Sequence, residues 1–176
     1  MRTILITGAT GLLGPYLIRE ARYFGKIVTL SRTSGDFAVD LSDRDGVRDS
    51  IQKIKPDWIV HAAAMTNVDR CERHPVEAYR ANKDVLVNLT ECICPTTSLL
   101  VVSTDQIYPD KVGPHKEEDA SPLNVYGKSK YAGEKIALCH PCTVVIRTNL
   151  FGKSLTQGRE SLDDYIIGKL RKRHGV

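Results

Sequence analysis

The sequence contains no apolar run that approaches the roughly 18 residues of a membrane-spanning helix. At its amino end, only a few apolar residues separate Arg2 from Gly8, which is too short for the hydrophobic region of a secretory signal peptide. Internal repeats and low-complexity segments are also missing. These absences argue against a membrane protein or a secreted one, and we expect a cytoplasmic protein.

Aromatic residues make up only 6% of the chain, and the formal net charge is a mild +4. Much of the basic excess lies in residues 169–174, where no aromatic side chain alternates with the cations. We therefore expect a solvated helix end there, and no nucleic-acid partner. A chain of 176 residues with 41% hydrophobic and 26% charged residues is typical of one globular domain with a sizeable core.

Four of the five cysteines lie in two pairs ahead of apolar strands: Cys92 and Cys94, then Cys139 and Cys142. If those strands are neighbours, four thiolates at one rim of the sheet could hold a metal ion. However, the Cys-x-Cys spacing is unusual for such a site, and Cys139-His-Pro-Cys142 lacks the helix start that activates a redox thiol. In a cytoplasmic chain we expect free thiols and no metal.

Three glycines at three-residue spacing follow a short strand near the amino end. Residues 4–6, Ile-Leu-Ile, are apolar on both faces, as a buried parallel strand requires. Gly8 allows a sharp turn, Gly11 lets backbone N–H groups approach a pyrophosphate, and Gly14 lets the next helix pack closely. A glycine turn between a strand and a helix predicts a dinucleotide site. The expected cofactor contacts are Gly8, Gly11, Leu12, Leu13 and Gly14.

Strand and helix signals alternate along the chain, which predicts an α/β protein with helices on both faces of a parallel sheet. The predicted strands are 4–6, 26–30, 37–39, 58–60, 99–102 and 143–146. The predicted helices are about 12–24, one that begins at Ser42 with a capping box completed by Asp45, and then 76–93, 124–138 and 161–173. Right-handed crossovers make this a doubly wound sheet, the Rossmann fold, with its binding crevice at the carboxyl ends of the strands.

Tyr126 and Lys130 lie four residues apart on a predicted helix, so their side chains project from the same face. An ammonium favours the phenolate and lowers the pKa of a neighbouring phenol from about 10. The pair could therefore act as general acid or base toward a carbonyl or an alcohol. A surface tyrosine over a lysine stem is the alternative. Thr104, at the end of a predicted strand, would face the same crevice and could bind the same oxygen.

Four motifs in order along the chain, TGATGLLG, HAAAMTNVD, VVSTDQIY and EEDASPLNVYGKSKYAGEK, resemble those of the extended short-chain dehydrogenase/reductases. Within that superfamily, the sequence is most similar to the dTDP-4-dehydrorhamnose reductases. The resemblance implies that Tyr126 donates a proton to the substrate carbonyl and that Thr104 hydrogen-bonds the reacting oxygen. It further implies that Lys130 binds the nicotinamide ribose and lowers the pKa of the tyrosine.

The same resemblance implies further contacts. Ala62, Ala63 and Ala64, which follow His61 at the end of the fourth strand, would line the cofactor with small side chains that let the ribose approach. Asn82 matches a family asparagine on the long helix, and a simple role on the helix surface is the open alternative.

Cofactor choice depends on the end of the second strand, where a NAD-preferring site places an acidic residue about 20 residues after the glycines. This chain has Ser31 and Arg32 there, and arginine offers a planar fork of donors suited to a phosphate. We therefore expect NADPH, with NADH and an exposed loop arginine as the alternative. Asp40 and Leu41 match the family segment that contacts adenine, and Asp40 could equally belong to the cap of the following helix.

Departures from the family pattern bear on the reaction and the sugar. Sugar-nucleotide 4,6-dehydratases of this superfamily carry a glutamate where Gln106 stands, and glutamine cannot act as that base, so dehydration is disfavoured. Leu150 stands where the rhamnose-pathway enzymes typically have tryptophan, which leaves the particular sugar open. Asn149 either contacts substrate or stabilises its loop.

The chain is also shorter than reductases of this type. We expect residues 1–176 to form a dinucleotide-binding domain, with 151–176 as the start of a substrate domain that is otherwise largely absent. The favoured function is an NADPH-dependent reductase of a keto-deoxysugar nucleotide, with the missing half supplied by a separate chain as one option. A silent cofactor-binding subunit, like the regulatory subunit of methionine adenosyltransferase, and a nucleotide-sugar epimerase are the alternatives. The family also suggests a homodimer through the helices 76–93 and 124–138.

Overall fold

The computed structural model describes residues 1–156, 158 and 161–174. In this part of the chain, six parallel strands form one sheet in the order β3-β2-β1-β4-β5-β6. The strands are β1 Thr3–Thr7, β2 Lys26–Ser31, β3 Phe37–Ala38, β4 Trp58–His61, β5 Ser98–Thr104 and β6 Thr143–Thr148. The predicted doubly wound Rossmann fold is confirmed, and the strand order reverses between β1 and β4, where such sheets open a crevice.

Helices flank this sheet. They are α1 Gly14–Ala21, α2 Arg44–Ile54, α3 Val68–Arg73, α4 Pro75–Tyr79, α5 Val85–Cys92, α6 Val125–Ala137 and α7 Leu162–His174. A π-helical turn, Arg80–Asp84, joins α4 to α5, and a 3₁₀ turn, Asp105–Ile107, follows β5. None of the helices in the described residues is long and apolar enough to cross a membrane.

The start of α2 differs from the sequence-based expectation. The helix begins at Arg44, its N-cap residue is Asp43, and the predicted capping box of Ser42 with Asp45 is not formed. The chain instead turns just before the helix, where Asp40 Oδ1 accepts a hydrogen bond from the backbone N of Ser42 at 2.8 Å. A local side chain–backbone bond of this kind competes with helical geometry, so the helix starts two residues later than predicted.

The predicted helix 76–93 is present as one run made of α4, the π turn and α5. The π turn carries Asn82, whose backbone packs closely against α6: a Cβ added at Gly133 would lie 2.2 Å from the Asn82 carbonyl oxygen. The short helix α3 was not predicted. Its side-chain cap is Asn67, which accepts a hydrogen bond from Arg70 N.

Hydrophobic side chains cover both faces of the sheet, as the apolar strands predict. On one face, Leu5 and Ile59 pack with Leu89 of α5 in the larger core. On the other face, Ile4 and Ile6 pack against α1. Burying each such side chain fully stabilises the fold by about 1.5–3 kcal/mol. The two packed layers hold the strand ends in register, so that Thr7, His61 and Thr104 reach the same carboxyl edge of the sheet.

The face that α1 covers at β1 and β4 is open at β6. The strand register places Val144 and Ile146 of β6 on this face, and they are 58% and 43% exposed. The outermost strand of the described sheet therefore carries an apolar strip in contact with solvent.

Candidate active site

The glycine turn lies between β1 and α1 at the carboxyl edge of the sheet. Gly8 has a φ of +74°, which favours glycine, and its carbonyl accepts a hydrogen bond from Gly11 N at 2.9 Å. A Cβ at Gly8 would lie 2.6 Å from the backbone of Ala62. A Cβ at Gly14 would lie 2.1 Å from the carbonyl oxygen of Ala9. Side chains are thus excluded both where the turn meets the segment after β4 and where α1 begins.

The segment after β6 folds over this turn. Tyr16 Oη donates to the carbonyl of Lys153 at 2.8 Å, and Thr156 Oγ1 donates to the carbonyl of Gly11 at 3.4 Å. Between the turn and the segment lies a cavity of about 230 Å³. Its lining is Leu12, Leu13, Tyr16, Leu150, Phe151 and Gly152. Leu150 is therefore brought to the glycine turn, whereas Asn149 is exposed and lies outside this lining.

At the end of β2, Ser31 is hydrogen-bonded within its own loop, whereas Arg32 faces solvent. The Ser31 hydroxyl donates to the carbonyl of Ser34 and accepts from Ser34 N at 3.1 Å. Arg32 is exposed, and its charge acts on Asp40 across the turn. The pKa of Asp40 is lowered, first by the hydrogen bond from Ser42 N and then in part by Arg32. The structure thus brings Arg32 and Asp40 together beside the ends of β2 and β3.

Asp40 and Leu41 differ in burial: Asp40 lies at the surface and Leu41 lies in the hydrophobic core. The carbonyl of Asp40 accepts a bond from Asp43 N at 2.9 Å, so Asp40 closes the turn that leads into α2, and its side chain stays exposed. Leu41 is 7% exposed and packs in the larger core. The prediction that Leu41 contacts a cofactor is therefore corrected for its side chain, because hydrophobic packing already occupies it.

His61 joins the ends of β4 and β1. Its ring is 1% exposed, and Nδ1 lies 2.9 Å from the hydroxyl oxygen of Thr7. Burial lowers the pKa of His61 to about 3, and the positive charge of Lys130 contributes to this shift. The imidazole is therefore neutral near pH 7. Ala62, Ala63 and Ala64 follow it as a half-buried run beside the glycine turn.

The amino end of α6 is fastened to the turn after β5. Asn124 caps the helix by accepting from Gly127 N at 2.7 Å, and its Nδ2 donates to Gln106 Oε1 at 2.8 Å. A Cβ at Gly127 would lie 2.4 Å from the Gln106 carbonyl oxygen, so only glycine permits this approach. Tyr126, the residue before Gly127, is thereby held beside Thr104.

Thr104, Tyr126 and Lys130 are brought together, and all three are buried. Burial raises the pKa of Tyr126, and a hydrogen bond with the Thr104 hydroxyl opposes that rise. Lys130 Nζ donates to the carbonyl of Val102 at 2.7 Å, and burial lowers its pKa to about 8 against the opposing charge of Glu134. The expectation that Lys130 lowers the pKa of the tyrosine is corrected here, because the ammonium is directed to a backbone carbonyl of β5.

Asn82 lies inside the fold. It is 1% exposed, its Oδ1 accepts from Met65 N at 2.8 Å, and its Nδ2 donates to Met65 O at 3.1 Å and Ser129 Oγ at 2.9 Å. The helix-surface alternative for this asparagine is therefore wrong. Its side chain fixes the segment after β4 against α6, one residue from Lys130.

Sequence reasoning missed a buried ion pair next to these residues. Glu134 on α6 is 1% exposed and binds Arg147 on β6, with Nη2 to Oε2 at 2.8 Å. The two residues are 13 positions apart on different elements, so no local pattern links them.

The cysteines do not form a metal centre in the described residues. β5 and β6 are neighbours as expected, but no group of three or more histidine, cysteine, aspartate or glutamate side chains is placed to hold a metal ion there. The thiols of Cys92, Cys94, Cys139 and Cys142 are free. A larger cavity of about 680 Å³ opens at this amino-terminal edge between Lys55 and Ser98, away from the residues predicted for a cofactor.

A short chain of contacts connects the whole arrangement. The glycine turn contacts Ala62, the residue after His61, and the positive charge of Lys130 helps to lower the pKa of His61. Lys130 in turn binds β5 two residues before Thr104, which contacts Tyr126. A parallel sheet with this strand order, a glycine turn after β1 and a Thr–Tyr–Lys set at the same edge define the Rossmann-type class of short-chain dehydrogenase/reductase domains.

Comparison with known proteins places the chain within that class. The model of the RmlD substrate binding domain family matches residues 1–170, and the chain belongs to this family. It is 40% identical over 135 residues to the dTDP-4-dehydrorhamnose reductase of Salmonella typhimurium, a match that covers 75% of this chain and 45% of that protein. It is 37% identical over 159 residues to methionine adenosyltransferase 2 subunit beta of Danio rerio, covering 86% of this chain and 49% of that protein.

Among solved structures, the chain is similar to the Bacillus anthracis dTDP-4-dehydrorhamnose reductase in complex with NADP. The TM-score is 0.77 at 28% identity, and the match covers 88% of this chain and 57% of the other. The recognition of this chain as a relative of the dTDP-4-dehydrorhamnose reductases is thus confirmed. The chain spans about half the length of the curated relatives that it matches.

Proposed function

We propose that this chain binds NADPH at the carboxyl edge of its sheet and provides the reductase site for a keto-deoxysugar nucleotide. The observation that carries the proposal is the meeting of Thr104, Tyr126 and Lys130 beside the glycine turn. The similarity to dTDP-4-dehydrorhamnose reductases, one of them in complex with NADP, supports both the reaction class and the cofactor. In this proposal residues 1–176 form the dinucleotide-binding domain, and 151–176 begin the substrate side.

The residues present fit such a cofactor. A Cβ at Gly11 would lie only 3.0 Å from Gly8 O, so glycine at these two positions keeps Cβ atoms out of the place where a phosphate would approach the backbone. The exposed guanidinium of Arg32 suits the additional phosphate of NADPH. Lys130 uses one of its three donors on Val102 O, which leaves donors for ribose hydroxyls. When bound, the dihydronicotinamide supplies the hydride.

The protein residues handle the oxygen and the proton. Because burial raises the pKa of Tyr126, its phenol is protonated at neutral pH, which is the form a reductase needs to donate a proton to a carbonyl. Thr104 Oγ1 donates to Asp105 Oδ1 at 3.2 Å and lies ready to exchange that bond for one to the substrate oxygen. A charged Lys130 would help replenish the phenol proton and would stabilise negative charge as it develops.

The test is NADPH oxidation, followed by absorbance, with a dTDP-4-keto-6-deoxysugar as substrate. Tyr126→Phe should lower kcat by about 10²-fold or more, because general acid catalysis typically contributes that much. Its affinity for NADPH, measured by calorimetry, should stay within a few-fold of the wild type. Tyr23→Phe is the matched control, since Tyr23 is 84% exposed, and its rate should not change. Equal rates in the wild type and Tyr126→Phe would end the reductase proposal.

A second candidate function is a cofactor-binding subunit without catalysis. The observation that favours it is the 37% identity to methionine adenosyltransferase 2 subunit beta over most of this chain. In that case the wild type would bind NADPH but turn over no sugar nucleotide, and Lys130→Ala would weaken binding without any rate to lose. For the reductase proposal, a homodimer and a separate chain on the substrate side are further predictions.

A further inference from the structure

The buried ion pair of Glu134 and Arg147 is a bidentate contact that fixes the two side chains relative to each other. Arg147 Nε lies 3.1 Å from both carboxylate oxygens, and Nη2 lies 2.8 Å from Oε2. The side chain of Glu134 is 2% exposed and that of Arg147 14% exposed. A two-point contact between a planar guanidinium and a carboxylate fixes both position and orientation. This ion pair holds α6 to β6.

The same guanidinium also reaches the loop that precedes α6. Arg147 Nη1 donates to the carbonyl of Glu117 at 2.7 Å, and the group lies 5.1 Å from the ring centre of Tyr108. Tyr108 is stacked on His115 with ring centres 5.2 Å apart. This arginine of β6 therefore binds both α6 and the segment 108–117.

Glu134 occupies the position one helical turn after Lys130, which is itself one turn after Tyr126. Residues at this spacing on a helix are neighbours on the same face. The carboxylate of Glu134 favours the charged form of Lys130, against the burial that disfavours it. Arg147 neutralises that carboxylate, so the net field at Lys130 depends on both members of the pair.

We propose that Glu134 and Arg147 form a positioning pair for Lys130. Glu134 supports the charge of the buried ammonium, Arg147 limits that support and holds the carboxylate in place, and the same arginine anchors the segment 108–117 to α6. Neither residue is assigned contact with substrate or cofactor. The functional meaning of this pair rests on the proposed function, whereas its effect on Lys130 does not.

The other charged and titratable groups near Lys130 leave the Glu134–Arg147 pair as the main influence on the charge state of Lys130. His61 on β4 faces the ammonium and is neutral near pH 7. Cys71 on α3 and Asp105 after β5 act on Tyr126. On the π turn, Lys83 and Asp84 pair with each other at the surface, with side chains 39% and 51% exposed.

The experiment is a pH titration of Lys130 in the full chain by NMR, with carbon-13 at the lysine Cε atoms and Lys130→Met to assign the signal. Glu134→Gln removes the supporting carboxylate and leaves the Arg147 charge uncompensated, so the pKa of Lys130 should fall by on the order of one unit. Arg147→Met leaves the carboxylate uncompensated, so that pKa should not fall and is expected to rise. The double variant should lie between the two single variants.

Opposite shifts in the two single variants separate electrostatics from structural damage, because loosened packing would expose Lys130 and raise its pKa in both. A fall in both variants, a rise in both, or no change in Glu134→Gln would overturn the proposal. The anchoring role has its own measurement. Arg147→Lys keeps the charge but loses the two-point contact, and trypsin should cut it faster than the wild type at Lys111 and Lys116. Unchanged cleavage would refute the anchor.

The titration uses the protein without cofactor or substrate. If Lys130 shifts as expected but the wild type binds no NADPH, the proposed function fails and the positioning pair stands. If NADPH binds and is oxidised but Lys130 does not respond to Glu134→Gln, the positioning pair fails and the proposed function stands.

Discussion

Acid should destabilise this protein through His61 before its carboxylates matter. The imidazole is fully buried, and its pKa falls from 6.5 to about 3 on folding. Between those two values the unfolded chain binds a proton that the folded chain excludes. Stability is therefore greatest above pH 6.5 and is lost as the pH falls toward 3. Each pH unit inside this range costs about 1.4 kcal/mol, so the step from pH 6 to 4.5 should cost about 2 kcal/mol from this one residue.

The window above pH 4.5 isolates the histidine. Asp36 and Asp40 also have lowered pKa values, from 3.8, so the stability they contribute is present above that value and is lost only as the pH falls below it. Urea unfolding can be followed by the fluorescence of the single tryptophan, Trp58. The quantity to compare is the change in unfolding free energy between pH 6 and 4.5.

His61→Gln removes the titrating group and keeps a polar partner for Thr7. Its unfolding free energy should fall less than that of the wild type over this window, by about 2 kcal/mol. His74→Gln is the matched control, because the His74 side chain is 54% exposed, and it should keep the slope of the wild type. If His61→Gln and the wild type lose the same stability between pH 6 and 4.5, the reasoning from burial is refuted.

Two further predictions concern residues that hold the site together. Gly14→Ala should destabilise the fold by about 2 kcal/mol, because the new Cβ would lie 2.1 Å from Ala9 O. The control Gly168→Ala meets nothing within 4 Å and should be neutral or slightly stabilising. Equal urea unfolding midpoints for the two variants would contradict this prediction. Asn82→Ala removes the hydrogen-bond partner of Met65 N, Met65 O and Ser129 Oγ and should lower the unfolding free energy in urea by about 2–4 kcal/mol. The control Asn88→Ala loses one hydrogen bond to Leu41 O and should lower it by about 1 kcal/mol. Similar losses of unfolding free energy in the two variants would argue against the bridging role of Asn82.

The sheet was predictable because each strand is an apolar run bounded by turn residues. The predicted strand 99–102 lies inside the observed β5, Ser98–Thr104. The doubly wound arrangement followed from the alternation of strands and helices and the handedness of the crossovers. The π turn was not predictable. Residues 80–84 have no unusual helix propensity, and the close packing of Asn82 depends on Gly133 of α6, which lies in a different element much further along the chain.

Helix α6 shows the same contrast between what local motifs reveal and what tertiary contacts decide. The spacing of Tyr126 and Lys130 placed both on one face, but their electrostatics depend on groups that no local motif reveals. The acceptor of the Lys130 ammonium is a backbone carbonyl of β5, and a carbonyl leaves no trace in the sequence. The partner of Glu134 comes from β6, after a turn and a change of element. Motifs therefore located the residues, whereas tertiary contacts set their charges.

The open face of β6 has a practical consequence for handling the protein. Val144 and Ile146 present a water-exposed oily ribbon on the outermost strand of the described sheet. An exposed apolar strip on an outermost strand favours self-association, which increases with protein concentration. Binding and unfolding data from dilute samples will therefore report on the isolated molecule, and concentrated NMR samples will need a dilution series to show that they do too.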